Sequence, residues 1–346
     1  MKHLYDENGY ANMPGIMRID TPFTICIGGR GTGKTFGALK HVVESKTKFI
    51  LMRRTQSQID IIGKKDFSPF KALNNTLGYS ITSAPVTKYN SAFYHGEKNE
   101  EGGISPAGEP IGYCVALSTF ANLRGFDASD VELMIFDEFI PEPSERQIIR
   151  NEGAAFLNAY ETANRNRELQ GHKPLKVLLL SNANDLASPI LDALGVMDTI
   201  EKMNRKRQSV YISPNKLISI IILNDSPISD AKRNTVLYRL SQNETFNDMS
   251  IANSFSADNY QYIGSRPLRE YNLIISTDNI CVWEHKDNRL IYITDAVREC
   301  PNHYRLTDTE RKRWRRCCEW LRIEYISGRI TFATFRAKYN FEGMWT

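Results

Sequence analysis

The chain has 346 residues, 41% of them apolar and 24% charged, with a net charge of +4. That length points to about two domains with room for a real core, and the mild charge alone singles out no nucleic-acid partner. The six cysteines form no C-x-x-C pair, no apolar run is long enough to span a bilayer, and Met1–Glu7 does not read as a signal peptide, so a disulfide scaffold, a zinc site and a membrane span are not expected.

Residues 1–20 are polar and irregular. Tyr10 and Met13 there are candidates to flank a nucleotide base, against a plain surface-packing role. Phe23–Ile27 is β-branched and apolar, which predicts a buried strand, and Phe36–Ser45 reads as a helix. The loop between them, Gly28-Gly29-Arg30-Gly31-Thr32-Gly33-Lys34-Thr35, fits G-x-x-x-x-G-K-[ST]. Strand, glycine loop and helix in that order make a phosphate site, because successive N–H groups turn inward and the helix adds its positive end. Lys34 is then expected on the β- and γ-phosphates of ATP, and the Thr35 hydroxyl on Mg²⁺.

Lys48–Met52 predicts a second strand that delivers Arg53 and Arg54 to the ligand-binding end of an open α/β sheet, as a nucleotide contact or as surface ion pairs. Lys64 and Lys65 follow in a mixed apolar and basic segment, either a loop facing DNA or a solvated helix edge. Residues 80–113 carry hairpin signals, and Tyr113–Leu117 reads as another buried strand. Val131–Phe136 is a further buried strand ending in Asp137-Glu138. The Asp suits Mg²⁺ binding and the Glu suits polarisation of an attacking water, a pairing that favours hydrolysis over phosphotransfer.

The spacing predicts a helix over 151–169 with Arg165 and Arg167 at its end, as a charge donated to a neighbour's phosphates or as a basic complement to the helix dipole. Lys176–Leu180 predicts a strand leading to Asn182, a γ-phosphate sensor, with Ser181 and Asn184 behind it. Leu217–Leu223 completes a mainly parallel sheet. Past Asn224 the texture changes. A basic helix over 231–240 with Lys232 and Arg233 leads a linker, and three short strands then run Tyr271–Ile275, Ile280–Glu284 and Leu290–Thr294. Helices over 308–327 and 331–339 close the chain, the first with a basic cluster Arg311–Arg316 around Trp314 that suits phosphate contacts or a solvated face. The expected division is an ATPase domain at 1–225, a linker subdomain at 226–258 and a C-terminal domain at 259–346. The first is a P-loop fold of α/β class, and the buried strand Tyr113–Leu117, falling between the two nucleotide motifs, resembles the ASCE division of such proteins.

The ordered set GGRGTGKT at 28–35, ILMRR at 50–54, LMIFDEFI at 133–140, NRNRE at 164–168 and LLLSNAN at 178–184 resembles the phi-29-like family of bacteriophage DNA packaging ATPases. The likeness spans about residues 20–225 and is weaker beyond. It implies a homopentameric ring at the portal of an empty capsid precursor in the host cytoplasm, pumping double-stranded DNA by ATP hydrolysis beside a structural RNA. It further implies Glu138 as catalytic base, Asp137 and Thr35 on Mg²⁺, Arg165 acting in trans and Arg124 at the subunit interface. Its C-terminal part resembles an RNase H-like nuclease that has lost its activity. Asp278 and Asp295 lie near strand ends without the three or four acids two metals require. DNA contacts are expected from Lys64, Lys65, Lys232 and Arg233. The rival readings are a motor with a working nuclease and a nucleotide-gated binding switch.

Overall fold

A computed structural model describes residues 4–98, 104–123, 125, 127–141, 149, 151–183, 186, 188–224, 226–240 and 262–345. Arg124 and Asn184 lie outside the described residues, as do 241–258 of the expected linker. By its contacts the chain forms two compact units, Met1–Ala193 with Met203–Phe255, and Leu194–Lys202 with Ser256–Thr346.

In chain order the first unit runs α1 (Met13–Met17), β1 (Phe23–Gly28), α2 (Lys34–Glu44), β2 (Phe49–Arg53), α3 (Gln56–Ile62), α4 (Lys71–Leu77), β3 (Ile81–Pro85), β4 (Asn90–Lys98), β5 (Ile104–Ala116) and β6 (Leu133–Asp137). It continues with α5 (Glu152–Asn164), β7 (Lys176–Ser181), α6 (Pro189–Ala193), α7 (Met197–Arg205, which straddles the unit boundary), β8 (Val210–Ile212), β9 (Ile218–Leu223), α8 (Pro227–Arg233) and α9 (Val236–Leu240). The strands form one nine-stranded sheet in the order β3-β4-β5-β2-β6-β7-β1-β9-β8. The six from β5 to β9 pair in parallel, and antiparallel partners extend both edges.

The parallel strands read as near-continuous apolar runs because both faces are covered, and every residue of β6 is buried. The hairpin expected over 80–113 is present as β3, β4 and the start of β5, and β5 then runs on to become the parallel neighbour of β2. At that junction Phe49 stacks on Phe93 and Phe70 packs tilted and edge-on against the two, with centroids 5.0–6.1 Å apart. Gly112 allows it, since a Cβ there would lie 2.5 Å from the Phe49 ring.

Four helices differ from expectation, the one over 308–327 in the second unit (below). The helix predicted to reach 169 stops at Asn164, because its side chain accepts a hydrogen bond from Leu175 N (2.7 Å) and donates to Glu168 (3.0 Å), drawing the chain out of register. The basic helix expected over 231–240 is two pieces, α8 and α9. The break falls at Asn234-Thr235, where Thr235 Oγ1 donates back to the Lys232 carbonyl at 2.8 Å, the competing local bond that ends helices. The last predicted helix, over 331–339, begins as a strand (below).

The second unit is built on a five-stranded sheet of β10 (Tyr271–Thr277), β11 (Cys281–His285), β12 (Ile291–Thr294), β13 (His303–Tyr304) and β14 (Ile330–Phe332), in the order β13-β10-β11-β12-β14. The three expected strands form its antiparallel centre. Ile330 and Phe332 alternate inward and pair in parallel with β12, and Thr334 then caps a helix over Phe335–Glu342 by accepting from Ala337 N at 3.0 Å. The helix expected over 308–327 is two segments, Asp308–Cys317 and Glu319–Ile326, bent at Cys318. Trp314 is wholly buried, and Arg311 and Arg315 donate to the carbonyls of Gly343 and Met344.

Candidate nucleotide-binding site

β1 ends at Gly28 and α2 starts at Lys34, so the glycine loop spans the gap between strand end and helix N-terminus. Gly33 caps α2 at φ +80°, where a Cβ would be strained and would meet the Tyr10 ring at 3.0 Å. Lys34 folds inward. Its Nζ donates to the carbonyls of Gly28 and Gly29, both at 2.9 Å, and to Asn182 Oδ1 at 3.2 Å. Burial lowers its pKa to about 8, opposed chiefly by Cys26 and Asp137 and assisted by the charge of Lys232. Asn182, the expected sensor at the end of β7, is therefore already on the lysine. Thr32 Oγ1 ties the loop by donating to the Gly29 carbonyl at 3.0 Å.

The sheet order places the end of β6 two strands from β1, across β7. The Thr35 hydroxyl donates to both oxygens of Asp137 at 3.0 Å, which joins the loop to the strand-end carboxylate. Hydroxyl and carboxylate converging on one point are the hard oxygen donors that Mg²⁺ takes, so these residues fit the ion. Asp137 is buried, whereas Glu138, one residue on, is more than half exposed and sits at φ +58°. A bulky residue in that region costs free energy and is worth reading as functional.

Arg53, from the end of the adjacent β2, pairs with both acids: Asp137 Oδ2 at 2.7 Å, and Glu138. Its Nε is buried and makes no hydrogen bond. Between nucleotide contact and surface ion pair, Arg53 is a partly buried clamp on the acid pair. Arg54 faces the other way and is fully buried, its Nε and Nη2 donating to Glu152 at 2.6 and 2.9 Å. That pair pins the first turn of α5 to the end of β2. Nothing in the sequence marked it, since Glu152 reads as an ordinary first-turn acid.

Arg165 ends α5 with φ +51° and ψ −136°, half exposed, with Asp127 at 3.5 Å. Arg167 donates to the carbonyls of Ala128 and Ser129 at 2.7 and 3.2 Å, so both arginines engage the 127–129 loop, Arg165 keeping about half its surface exposed. Lys64 lines a cavity of about 540 Å³ between α3 and the β3–β4 hairpin, together with Lys88, Gln56 and Asn90. Lys65 opens a short 3₁₀ turn. Arg233 is exposed, but Lys232, expected among the DNA contacts, reaches the Arg30 carbonyl in the glycine loop. Of the two residues considered for the base, Met13 is fully buried beneath α2 and Tyr10 keeps 43% of its surface.

In the second unit Asp278 accepts from Leu306 N at 2.8 Å and bonds His303 Nε2 at 3.1 Å, while His303 Nδ1 meets buried Ser276 at 2.9 Å. The Leu306 bond, then His303, holds the Asp278 carboxyl below the usual range. Among the described residues no group of three or more His, Cys, Asp or Glu side chains is placed to hold a metal, and no helix is long and apolar enough to cross a membrane.

A mainly parallel sheet with a glycine loop opening α2 and an acid pair ending β6 defines the chain as a P-loop ATPase. The chain belongs to the podovirus DNA encapsidation protein (Gp16) family, whose profile matches residues 101–343. That match begins beyond the glycine loop, so the loop stands on its own geometry. The chain is 26% identical over 300 residues to a DNA packaging protein of Bacillus phage B103, covering 84% of each. Its fold is similar to that of a chain in the bacteriophage Phi-29 viral genome packaging motor assembly (TM-score 0.66, 17% identity, 97% of this chain and 98% of that one). It is similar also to the Phi-28 gp11 DNA packaging motor (TM-score 0.62, 18% identity, 97% and 96%). Family membership makes it a DNA packaging ATPase of phi29-like phages, which packages the genome into the capsid.

Proposed function

We propose that this ATPase binds Mg-ATP in the loop Gly28–Thr35 and hydrolyses it with Glu138 as base. The observation that carries the reading is the meeting of Thr35 with Asp137 beside a buried Lys34. Lys34 exchanges the carbonyls of Gly28 and Gly29 for β- and γ-phosphate oxygens, keeping Asn182 as the partner that registers γ-phosphate. Thr35 and Asp137 would hold Mg²⁺, which when bound neutralises charge on the phosphates. Arg53 restrains Glu138, whose water-orienting position requires leaving that ion pair. Arg165 reaches the nucleotide of a neighbouring subunit, with Arg124 at the same interface, and its exposure at the end of α5 supports this.

Assignment to the ASCE division is supported by β7, which lies between β1 and β6 with Asn182 just beyond its end; the strand expected to be the extra one, Tyr113–Leu117, instead forms the end of β5 on the far side of β2. Residues 1–225 act as the ATPase domain, 226–258 as a linker and 259–346 as an RNase H-like domain without nuclease activity. The antiparallel centre flanked by parallel β14, and an Asp278 already engaged by His303 and Leu306 N, support the last. Double-stranded DNA is held through its phosphates by Lys64, Lys65 and Arg233, in a homopentameric ring at the portal of the capsid precursor, beside a structural RNA, in the host cytoplasm. The test is steady-state ATP hydrolysis with and without double-stranded DNA, for the native chain and Glu138→Gln. DNA-stimulated turnover that the substitution lowers by roughly 10²- to 10⁴-fold is expected. Turnover indifferent to both would refute the reading.

A further inference from the structure

Lys232 stands outside the machinery just described, yet its ammonium lies on the glycine loop. Its Nζ donates to the Arg30 carbonyl, and a Cβ on Gly31 would fall 2.5 Å from that nitrogen. The placement is held by bonds that do not involve Lys232. Ser226, at the position just before α8, donates through Oγ to the Gly9 carbonyl at 3.2 Å. Tyr5 Oη donates to the Asn224 carbonyl at 2.5 Å. The same N-terminal segment is fastened to the loop by Ala11 N on the Thr32 carbonyl at 2.8 Å. The start of α8, residues 5–11 and the glycine loop thus make one braced assembly, and Lys232 projects from the last turn of α8 onto the loop.

The loop already carries Arg30 and the buried Lys34. A third cation brought to it is unfavourable without an anion, and burial and then the Arg30 charge lower the pKa of Lys232. The nearby carboxylates do not answer this need, since Asp137 is taken by Thr35 and Arg53, and Glu138 by Arg53. A polyphosphate in the loop does. The ammonium bond to the Arg30 carbonyl meets only a neutral dipole, whereas a phosphate oxygen adds the attraction of an opposite full charge, so the ammonium would leave Arg30 for it.

We propose that Lys232 is a nucleotide-phosphate ligand acting in cis, through which bound ATP draws α8 onto the glycine loop. The proposal rests on the ATP site above, and it takes Lys232 away from DNA.

The test uses the full chain in two titrations, one with a fluorescent N-methylanthraniloyl ATP and one with a labelled DNA duplex. Native protein, Lys34→Ala, Lys232→Gln and Lys232→Arg are compared. The Gln amide can still donate to the Arg30 carbonyl, so a merely structural tie survives in Lys232→Gln, whereas a phosphate ligand does not. The expected result is a loss of nucleotide affinity of roughly tenfold or more in Lys232→Gln, with Lys232→Arg retaining most of it and duplex affinity at the native level in both. Native nucleotide affinity in Lys232→Gln, equal loss in Lys232→Arg, or a loss confined to the duplex overturns the inference. If Lys34→Ala loses nucleotide while Lys232→Gln does not, only the inference falls. If Lys34→Ala binds nucleotide as the native chain does, the ATP site itself falls, and the inference with it.

Discussion

The Arg54–Glu152 pair gives the firmest number to test. Both side chains are fully buried, and the guanidinium meets the carboxylate through two bonds of 2.6 and 2.9 Å. Arg54→Met leaves the Glu152 carboxylate in the interior without that cation, and Glu152→Leu does the converse. Breaking a buried pair from one side costs about 3–5 kcal/mol, because the remaining charge is uncompensated. For a unit of this size each kcal/mol lowers the melting temperature by roughly 2–4 °C, so either single substitution is expected to lower it by about 6–20 °C. The double substitution Arg54→Met with Glu152→Leu removes both charges and should recover most of the loss. Differential scanning calorimetry on the full chain, following the transition of the first unit, reads all four states of the cycle. Single variants melting within a degree of the native chain, or a double variant as low as the two losses summed, would refute the view that the ion pair holds α5 to β2.

Rings mixed from Arg165→Ala and Lys34→Ala chains should recover some ATPase, since each chain supplies what the other lacks; no recovery at any ratio means that Arg165 acts within its own chain. Lys64→Ala should weaken duplex binding evenly across sequences and reduce the slope of log affinity against log salt by about one, and an unchanged slope would take Lys64 off the phosphates. The Asp278 carboxyl is held below its unfolded pKa by Leu306 N and His303. Its contribution is therefore present above that unfolded value and lost as pH falls through the folded one. Thermal melts between pH 6 and 3 should show the native second unit losing more stability than Asp278→Asn, and parallel curves would remove the effect.

The parts of the chain that could be read directly are those where local chemistry and position coincide. Gly28–Thr35 and Asp137-Glu138 announce themselves because a phosphate loop needs glycine at fixed spacing and a buried strand ending in two acids has few other uses. The parallel strands were legible from their unbroken apolar runs. The lateral order β2-β6-β7-β1 was not, and it is that order which sets Arg53 on the acids and Asn182 on Lys34. Lys232 looked like part of a basic face because charge on a helix says nothing of what the helix lies against. The strand β14 was hidden because Ile330–Phe332 is too short for its alternation to outweigh the helical pattern that follows Thr334.

Glu138 and Arg165 both stand on backbone that L-residues avoid, at φ +58° and +51°. Glycine at either position would relieve about 1 kcal/mol of backbone strain, while removing the carboxylate or the guanidinium proposed for hydrolysis. A search for stabilising substitutions would therefore count these two among its candidates, at the expense of the carboxylate and the guanidinium. An effort to toughen this protein for use outside the phage should leave both positions alone and look for its gains elsewhere.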